Sequence, residues 1–341
     1  MGAALLKESV LIISGDPSIT DSDDGLLPET GTDTRSFEVQ ASQHGQRLDR
    51  VLAAAVPEFS RSYLQQLMGV GAVLCNGVAA VRPALRVRAG DTCRVELRPT
   101  PQSSAFVAQA MDLQVVHEDA HLLVIEKPAG LVVHPAPGNW GGTLLNGLLA
   151  YDAVFAHLPR AGIVHRLDKN TSGLLLVARS RQAMDALVAM IAARSVQRQY
   201  LALAHGPWNG PALRDIQNAI GRDPAHRLRM AVLDAARHVA KPARTTVELQ
   251  DTSDEACLVR CSLHTGRTHQ IRVHMAAIGH PLLGDATYGG RPMAGLQRQA
   301  LHAFRLALPH PVSGIPHEFV SRPPPDLELA IGQCGLRYNL D

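Results

Sequence analysis

Aromatic residues make up 4% of this 341-residue chain, cysteines number five, and no apolar run approaches the length of a membrane span. Each scarcity excludes something. A bilayer-crossing helix needs about 20 consecutive apolar residues, so a helical membrane protein is ruled out. Residues 1–14 are short, lack a basic lead and run into acidic residues, which does not read as a secretory signal; the cytoplasm is the expected compartment. The cysteines are scattered with no Cys-x-x-Cys pair, implying neither a disulfide frame nor a zinc knuckle. Cys257 and Cys261 fall on one face of an alternating strand and read as core. His269 and His274 stand five apart, whereas zinc-binding helices use a spacing of four, so no metal is expected. Internal repeats and a Gly-rich phosphate loop are also missing.

What is present is an ordinary balance, 46% hydrophobic and 19% charged, long enough for two domains with cores of their own. The formal charge of +2 is unevenly spread. Residues 1–35 carry Glu8, Asp16, Asp21, Asp23, Asp24, Glu29 and Asp33 and little apolar periodicity, the composition of an acidic, disordered tail. The remainder is correspondingly basic, which favours a polyanionic partner. Residues 36–98 form a compact module. Leu48, Val51, Leu52 and Ala55 recur at helical spacing, Pro57 ends that helix, and Ser60 is placed to cap a second with Tyr63, Leu64, Leu67 and Met68 on its apolar face. Short strands follow, with Asn76-Gly77 as a hairpin signal. Residues 99–111, polar and proline-bearing, read as a linker that lets the domains move.

From residue 112 to 341, strand-like runs (122–125, 162–164, 174–178, 200–204, 259–263) alternate with helical ones such as 181–193. Hairpins and long connections predict an α+β fold with a mixed, mainly antiparallel sheet flanked by helices. Between two of these runs lies His165-Arg166-Leu167-Asp168-Lys169-Asn170-Thr171-Ser172-Gly173. One acid stands there among cations, hydroxyls and a turn glycine, a setting that favours an ionised carboxylate able to act as nucleophile or base. Taken alone, the same loop also fits a turn in which Asp168 caps the backbone.

The stretch resembles the second motif of the RluA-type RNA pseudouridine synthases, in which the aspartate is catalytic; Asn170 stands where that family often has Asp. Four further segments resemble the family in order: residues 121–135 with Lys127-Pro128, Arg198-Gln-Tyr200, residues 265–274 with Arg267, and residues 279–303. The module at 36–98, with Arg47, Arg50 and Arg61, resembles the S4 RNA-binding fold. This likeness implies Asp168 as the catalytic residue, Arg267 as its ion-pair partner and Tyr200 stacking on the target base. Arg166, Lys169, Lys127 and His134 are expected to line the RNA cleft, and the arginines Arg47, Arg50 and Arg61 to bind structured RNA. No cofactor is implied, and either attack on C1′ or removal of the 2′ proton remains open to Asp168.

Within that family, segments 131–139, 159–164, 284–292 and 310–314 look most like members that modify the helix 69 region of 23S rRNA. The expected partner is 23S rRNA or a large-subunit precursor, met by a monomer; other uridines of the same rRNA are the nearest alternative. A non-catalytic ribosome-assembly protein would keep the basic module yet need none of Asp168, Tyr200 and Arg267. A hydrolase would show a second working carboxylate or a metal cluster.

Overall fold

The computed structural model describes residues 33–57, 59, 61–97, 103–136, 138–226 and 229–340. It divides into two compact units, residues 1–100 and 101–341.

In the first unit, strand β1 (Asp33–Glu38) is followed by helices α1 (Leu48–Ala55) and α2 (Arg61–Gly69) and strands β2 (Val73–Cys75), β3 (Val78–Ala79) and β4 (Thr92–Leu97). The antiparallel order is β1-β4-β2-β3. Leu48, Val51, Leu52, Leu64, Leu67 and Met68 are buried against Val73, Cys93 and Val95. Asn76 and Gly77 both take positive φ, 51° and 76°, the mirror-image turn that suits the twist of two flanking strands. The sheet begins earlier than the sequence suggests: Asp33, Thr34 and Arg35, read as tail, pair with Leu97, Glu96 and Val95. The rest of that tail, and the Ser60 cap, lie outside the described residues.

The second unit opens on a segment expected to be linker. Its 3-10 turn, Ser103–Phe106, is instead fastened to the body, because the buried Asn146 amide donates to the carbonyls of Ala105 and Val107. Strands β5 (Gln114–Glu118) and β6 (Leu122–Lys127) precede helix α3 (Leu144–Tyr151), strand β7 (Ser172–Ala178), helix α4 (Arg181–Ala192) and strand β8 (Gln197–His205). Strands β9 (Leu213–Ile216), β10 (Ile220–Arg222), β11 (Met230–Val232), β12 (Ala240–Lys241), β13 (Thr245–Thr252) and β14 (Ala256–Leu263) come next. Helix α5 (Gln270–Ala277), strands β15 (Leu301–Pro309) and β16 (Pro316–Val320), and helix α6 (Pro325–Gln333) complete the chain.

A nine-stranded sheet runs β5-β6-β7-β15-β8-β14-β13-β9, with β16 added to β15, while β10, β11 and β12 form a separate small sheet. Its pairs are antiparallel except β7 with β15. The central strands are buried on both faces, so they read as unbroken apolar runs rather than alternation. One face carries Leu145, Leu148, Phe155 and Ile271, the other Ala183, Leu187 and Phe319. Residues 162–164, expected as a strand, close a 3-10 turn (Pro159–Gly162) instead, and only Ile163 makes an isolated bridge to Val177. Among the described residues no helix is long and apolar enough to cross a membrane.

Burial pushes three imidazoles of this unit down from 6.5, His134 and His302 to about 4 and His165 to about 3. Their folded values lie below the unfolded one, so the unfolded chain binds more protons as pH falls below about 6.5, and stability falls with it. The melting temperature of the full chain should therefore drop between pH 6.5 and about 5.5, above the range where most carboxylates titrate. His302→Gln, which removes one such site, should make that decline shallower; a melting temperature flat across the window would refute the assignment.

Candidate active site

The loop between Ile163 and β7 is held by its backbone. The Lys169 carbonyl accepts from Gly130 N at 2.8 Å and from Lys127 Nζ at 3.1 Å, and the Asn170 carbonyl accepts from Arg298 at 3.1 Å. Thr171 N donates back to the Asp168 carbonyl at 3.0 Å. Directly after it, Gly173 takes φ +114° where β7 meets β15, and a Cβ there would overlap the Ala303 backbone. Only glycine lets the two strands close at this point, which is what brings the Asp168 loop to the middle of the sheet.

Lys127 was expected to line the RNA cleft, and the structure corrects this. Its side chain is fully buried, and Nζ donates to the carbonyls of Pro128, Leu131 and Lys169 at 2.7, 2.9 and 3.1 Å. Burial pushes this amine down to about 7. It ties the turn after β6 to the turn after Asp168 and offers nothing to a phosphate. His134 is corrected in part. Half-buried and repelled by Arg160 and Arg166, it is pushed down to about 4 by burial first and by those arginines next, so at neutral pH it carries no charge to offer a phosphate.

Asp168, with 15% of its side chain exposed, is paired with Arg272: Nη1 lies 3.2 Å from Oδ2. The same guanidinium grips Asp285 from its other edge, Nε to Oδ2 at 2.7 Å and Nη2 to Oδ1 at 2.8 Å. Burial alone would lower the pKa of Arg272, but Asp285 and Asp168 outweigh it and hold the charge fixed. This places the ion pair on Arg272 where the sequence reading put Arg267. Arg267 turns away, its Nε donating to the Pro242 carbonyl at 3.0 Å. Residues 264–268 are loop, and α5 starts only at Gln270. His269 and Arg272, three apart, share the face that meets Asp168, while Arg267 sits before the helix and off that face. A guanidinium in a helix whose neighbours are all buried requires a buried acid; Arg272 in Gln270-Ile-Arg-Val-His-Met and Asp285 in a Gly-Asp turn carried that signal.

Asp168 borders a cavity of about 380 Å³ walled by Arg166, Arg198, Tyr200, Arg267, Arg272 and Leu301, a size that encloses small ligands. Tyr200 projects from β8 opposite Cys261 and Ala303, and burial pushes its phenol up to about 12, so it stays neutral. Arg198, which shares a motif with Tyr200 but has no role assigned from the sequence, is 5% exposed, and its buried Nε has no hydrogen-bond partner among the described residues. A buried donor without a partner on a cavity wall is one a ligand can satisfy. Arg166 is exposed on the wall of this cavity, and a second cavity, about 490 Å³, also bordered by Asp168, opens towards Arg229, Arg298 and the exposed Lys169.

In the first unit, Arg47 and Arg61 converge on the buried carboxylate of Asp49 at 3.1 and 2.8 Å, with Gln65 Nε2 at 2.6 Å. Burial would raise Asp49, yet these donors bring it down to about 2. Both arginines remain about half exposed, 46% and 49%, and Arg50 is exposed on the next position of α1.

A family profile described as RNA pseudouridylate synthase matches residues 121–277, and one described as S4 domain matches residues 46–93. Over 310 residues the chain is 44% identical to the Ribosomal large subunit pseudouridine synthase D of Neisseria meningitidis serogroup A, covering 87% of this chain and 81% of that protein. The chain belongs to the RNA pseudouridine synthase family. The identically named protein of Pasteurella multocida is 40% identical over 320 residues, 90% of this synthase and 97% of its own length. Among solved structures, Human RNA Pseudouridylate Synthase Domain Containing 1 superposes with a TM-score of 0.51 at 27% identity, over 69% of the synthase described here and 90% of the human chain.

Arg272→Gln should strip Asp285 and Asp168 of their shared cation, destabilising the second unit by about 3–5 kcal/mol, as unpairing buried charges does. Arg267→Gln should leave the melting temperature unchanged. Denaturant titration of both variants checks the contrast; equal destabilisation would contradict the pairing.

Proposed function

We propose that this protein converts uridines of the large-subunit ribosomal RNA to pseudouridine, with the helix 69 region of 23S rRNA as its target. The reading is carried by one observation: a carboxylate oriented by a buried arginine stands at the wall of a nucleotide-sized cavity that also presents a neutral tyrosine face. The relatives named for the large ribosomal subunit and the match to the S4 family support the choice of RNA.

The reaction breaks the N1–C1′ bond of uridine, turns the uracil and forms a C5–C1′ bond; C5 loses a proton and N1 gains one, with no change of oxidation state. Asp168 is the reacting carboxylate, through C1′ or the 2′ proton. Arg272 holds its Oδ2 and so leaves Oδ1 towards substrate, which keeps the acid aimed without reorganisation during the reaction. Tyr200 offers a flat surface on which a freed uracil can turn while held by stacking. A uridine in a stem must first be extruded, at a cost of a few kcal/mol, and the exposed Arg166 and Lys169 beside Asp168 are placed to hold the opened backbone. Arg47, Arg50 and Arg61 give the first unit a cationic face for structured RNA, and Asp49 presets two of them. The cytoplasm, where ribosomal RNA is made, is the proposed place of action.

Pseudouridine mapping of a 23S rRNA transcript and of large subunits, after incubation with the protein or with Asp168→Asn, tests the proposal. Modification in helix 69 by the wild type alone, with unchanged RNA affinity in the variant, is the expected result. Modification confined to other uridines moves the target. RNA binding with no modification in either substrate leaves an RNA-binding assembly factor.

A further inference from the structure

His269 precedes α5 in the left-handed conformation, φ 57° and ψ 23°. A non-glycine residue there is strained, and such positions cluster where geometry serves function. Its ring lies between two partners. Nδ1 is 2.8 Å from the Tyr288 hydroxyl, and Nε2 is 4.0 Å from Asp168 Oδ1, the carboxylate oxygen that Arg272 does not hold.

The Tyr288 hydroxyl also receives the backbone N–H of Met230, at 3.0 Å. A backbone amide can only donate, so the phenol oxygen accepts from β11 and its proton has Nδ1 2.8 Å away as acceptor; the reverse, Nδ1–H donating to the phenol, would turn a bare Nε2 lone pair towards the Asp168 carboxylate. Burial keeps both groups in the forms this requires. It lowers the pKa of His269, against the pull of Asp168, and raises that of Tyr288. A neutral imidazole that accepts at Nδ1 carries its hydrogen on Nε2, and Nε2 faces Asp168. Tyr288 itself is fixed by two guanidiniums over its ring, Arg272 at 5.0 Å and Arg229 at 5.6 Å, and by an edge-on contact with the His269 ring.

We propose that His269 is a positioning residue that presents an Nε2–H to Oδ1 of Asp168, its tautomer set by a chain of donors running from the Met230 amide through the Tyr288 hydroxyl. This rests on Asp168 being the reacting carboxylate. The two oxygens then have separate neighbours: Arg272 holds Oδ2 at 3.2 Å, and the imidazole faces Oδ1 from 4.0 Å, beyond hydrogen-bond length, with a neutral donor that leaves the oxygen charged. Because Met230 belongs to the small sheet, the hydrogen-bonding state of the acid depends on β11 being docked against Tyr288.

Nitrogen-15 NMR of histidine-labelled full-length protein at pH 7 reads the tautomer directly. His269, assigned by loss of its signal in His269→Gln, should show an unprotonated Nδ1 and a protonated Nε2, and Tyr288→Phe should abolish that preference. An imidazolium, or an Nδ1–H tautomer, in the wild type overturns the proposal. In rRNA modification assays, His269→Ala should lower kcat by about 3- to 10-fold, less than a formed hydrogen bond to a charged group is worth because Nε2 stands 4.0 Å from Oδ1, with KM unchanged. His269→Gln, which keeps a donor near the Nε2 position, should recover most of it. A raised KM at constant kcat, or no rescue by Gln, refutes the positioning role. Activity retained in Asp168→Asn would instead sink the assignment of the reacting carboxylate while leaving the tautomer result standing.

Discussion

A carboxylate in a mostly buried place is costly unless cations or donors surround it, and a buried guanidinium is costly unless acceptors do. Arg272 resolves both demands by spanning Asp285 on one edge and Asp168 on another. Asp285 is the structural half of the arrangement, 2% exposed and gripped through both oxygens, and it fixes where the guanidinium points. From Arg272, Asp168 receives a single contact, through the remaining nitrogen, and its other oxygen faces His269. The helix α5, the Gly-Asp turn and the loop before β7 all serve this triad.

Lysine and glycine do the rest of the positioning by unlike means. Lys127 gathers three carbonyls that would otherwise be buried without partners, so the turn beyond β6 and the turn beyond Asp168 are one rigid piece. Gly173 removes a side chain that would push β15 away. Asp49 applies the logic of the triad in the first unit with the roles exchanged: one buried acid sets the direction of two surface arginines, where Asp168 is itself directed by a buried base.

Much of this was legible because it is local. The Asn76-Gly77 turn, the apolar faces of α1 and α2 and the buried runs of β6, β7 and β8 follow from residues adjacent in sequence. Arg267 and Lys127 were misread for the opposite reason. Which of two arginines five positions apart faces Asp168 depends on where α5 begins, and that is decided by the left-handed turn at His269 and by Gln270 bonding back to Thr265 and Arg267. A lysine in a proline-bearing turn looks like a surface cation until the carbonyls that surround it are assembled from two distant loops. Likewise residues 162–164 have strand composition, but positive φ at Arg160, Ala161 and Gly162 coils the chain before it can extend.

The parallel contact of β7 with β15 has a consequence in time. Ser172 meets His302 across 130 residues of intervening chain, and the acid that orients Arg272 comes at position 285. Domains emerge from synthesis with the N-terminal part first. A nascent chain that has just exposed the loop of Asp168 therefore has the first unit and β6 complete, but neither the Arg272–Asp285 pair that orients the carboxylate nor strand β15 beside β7. The surroundings of Asp168 are thus completed last, by residues 272, 285 and 301–303, more than a hundred positions after the loop itself.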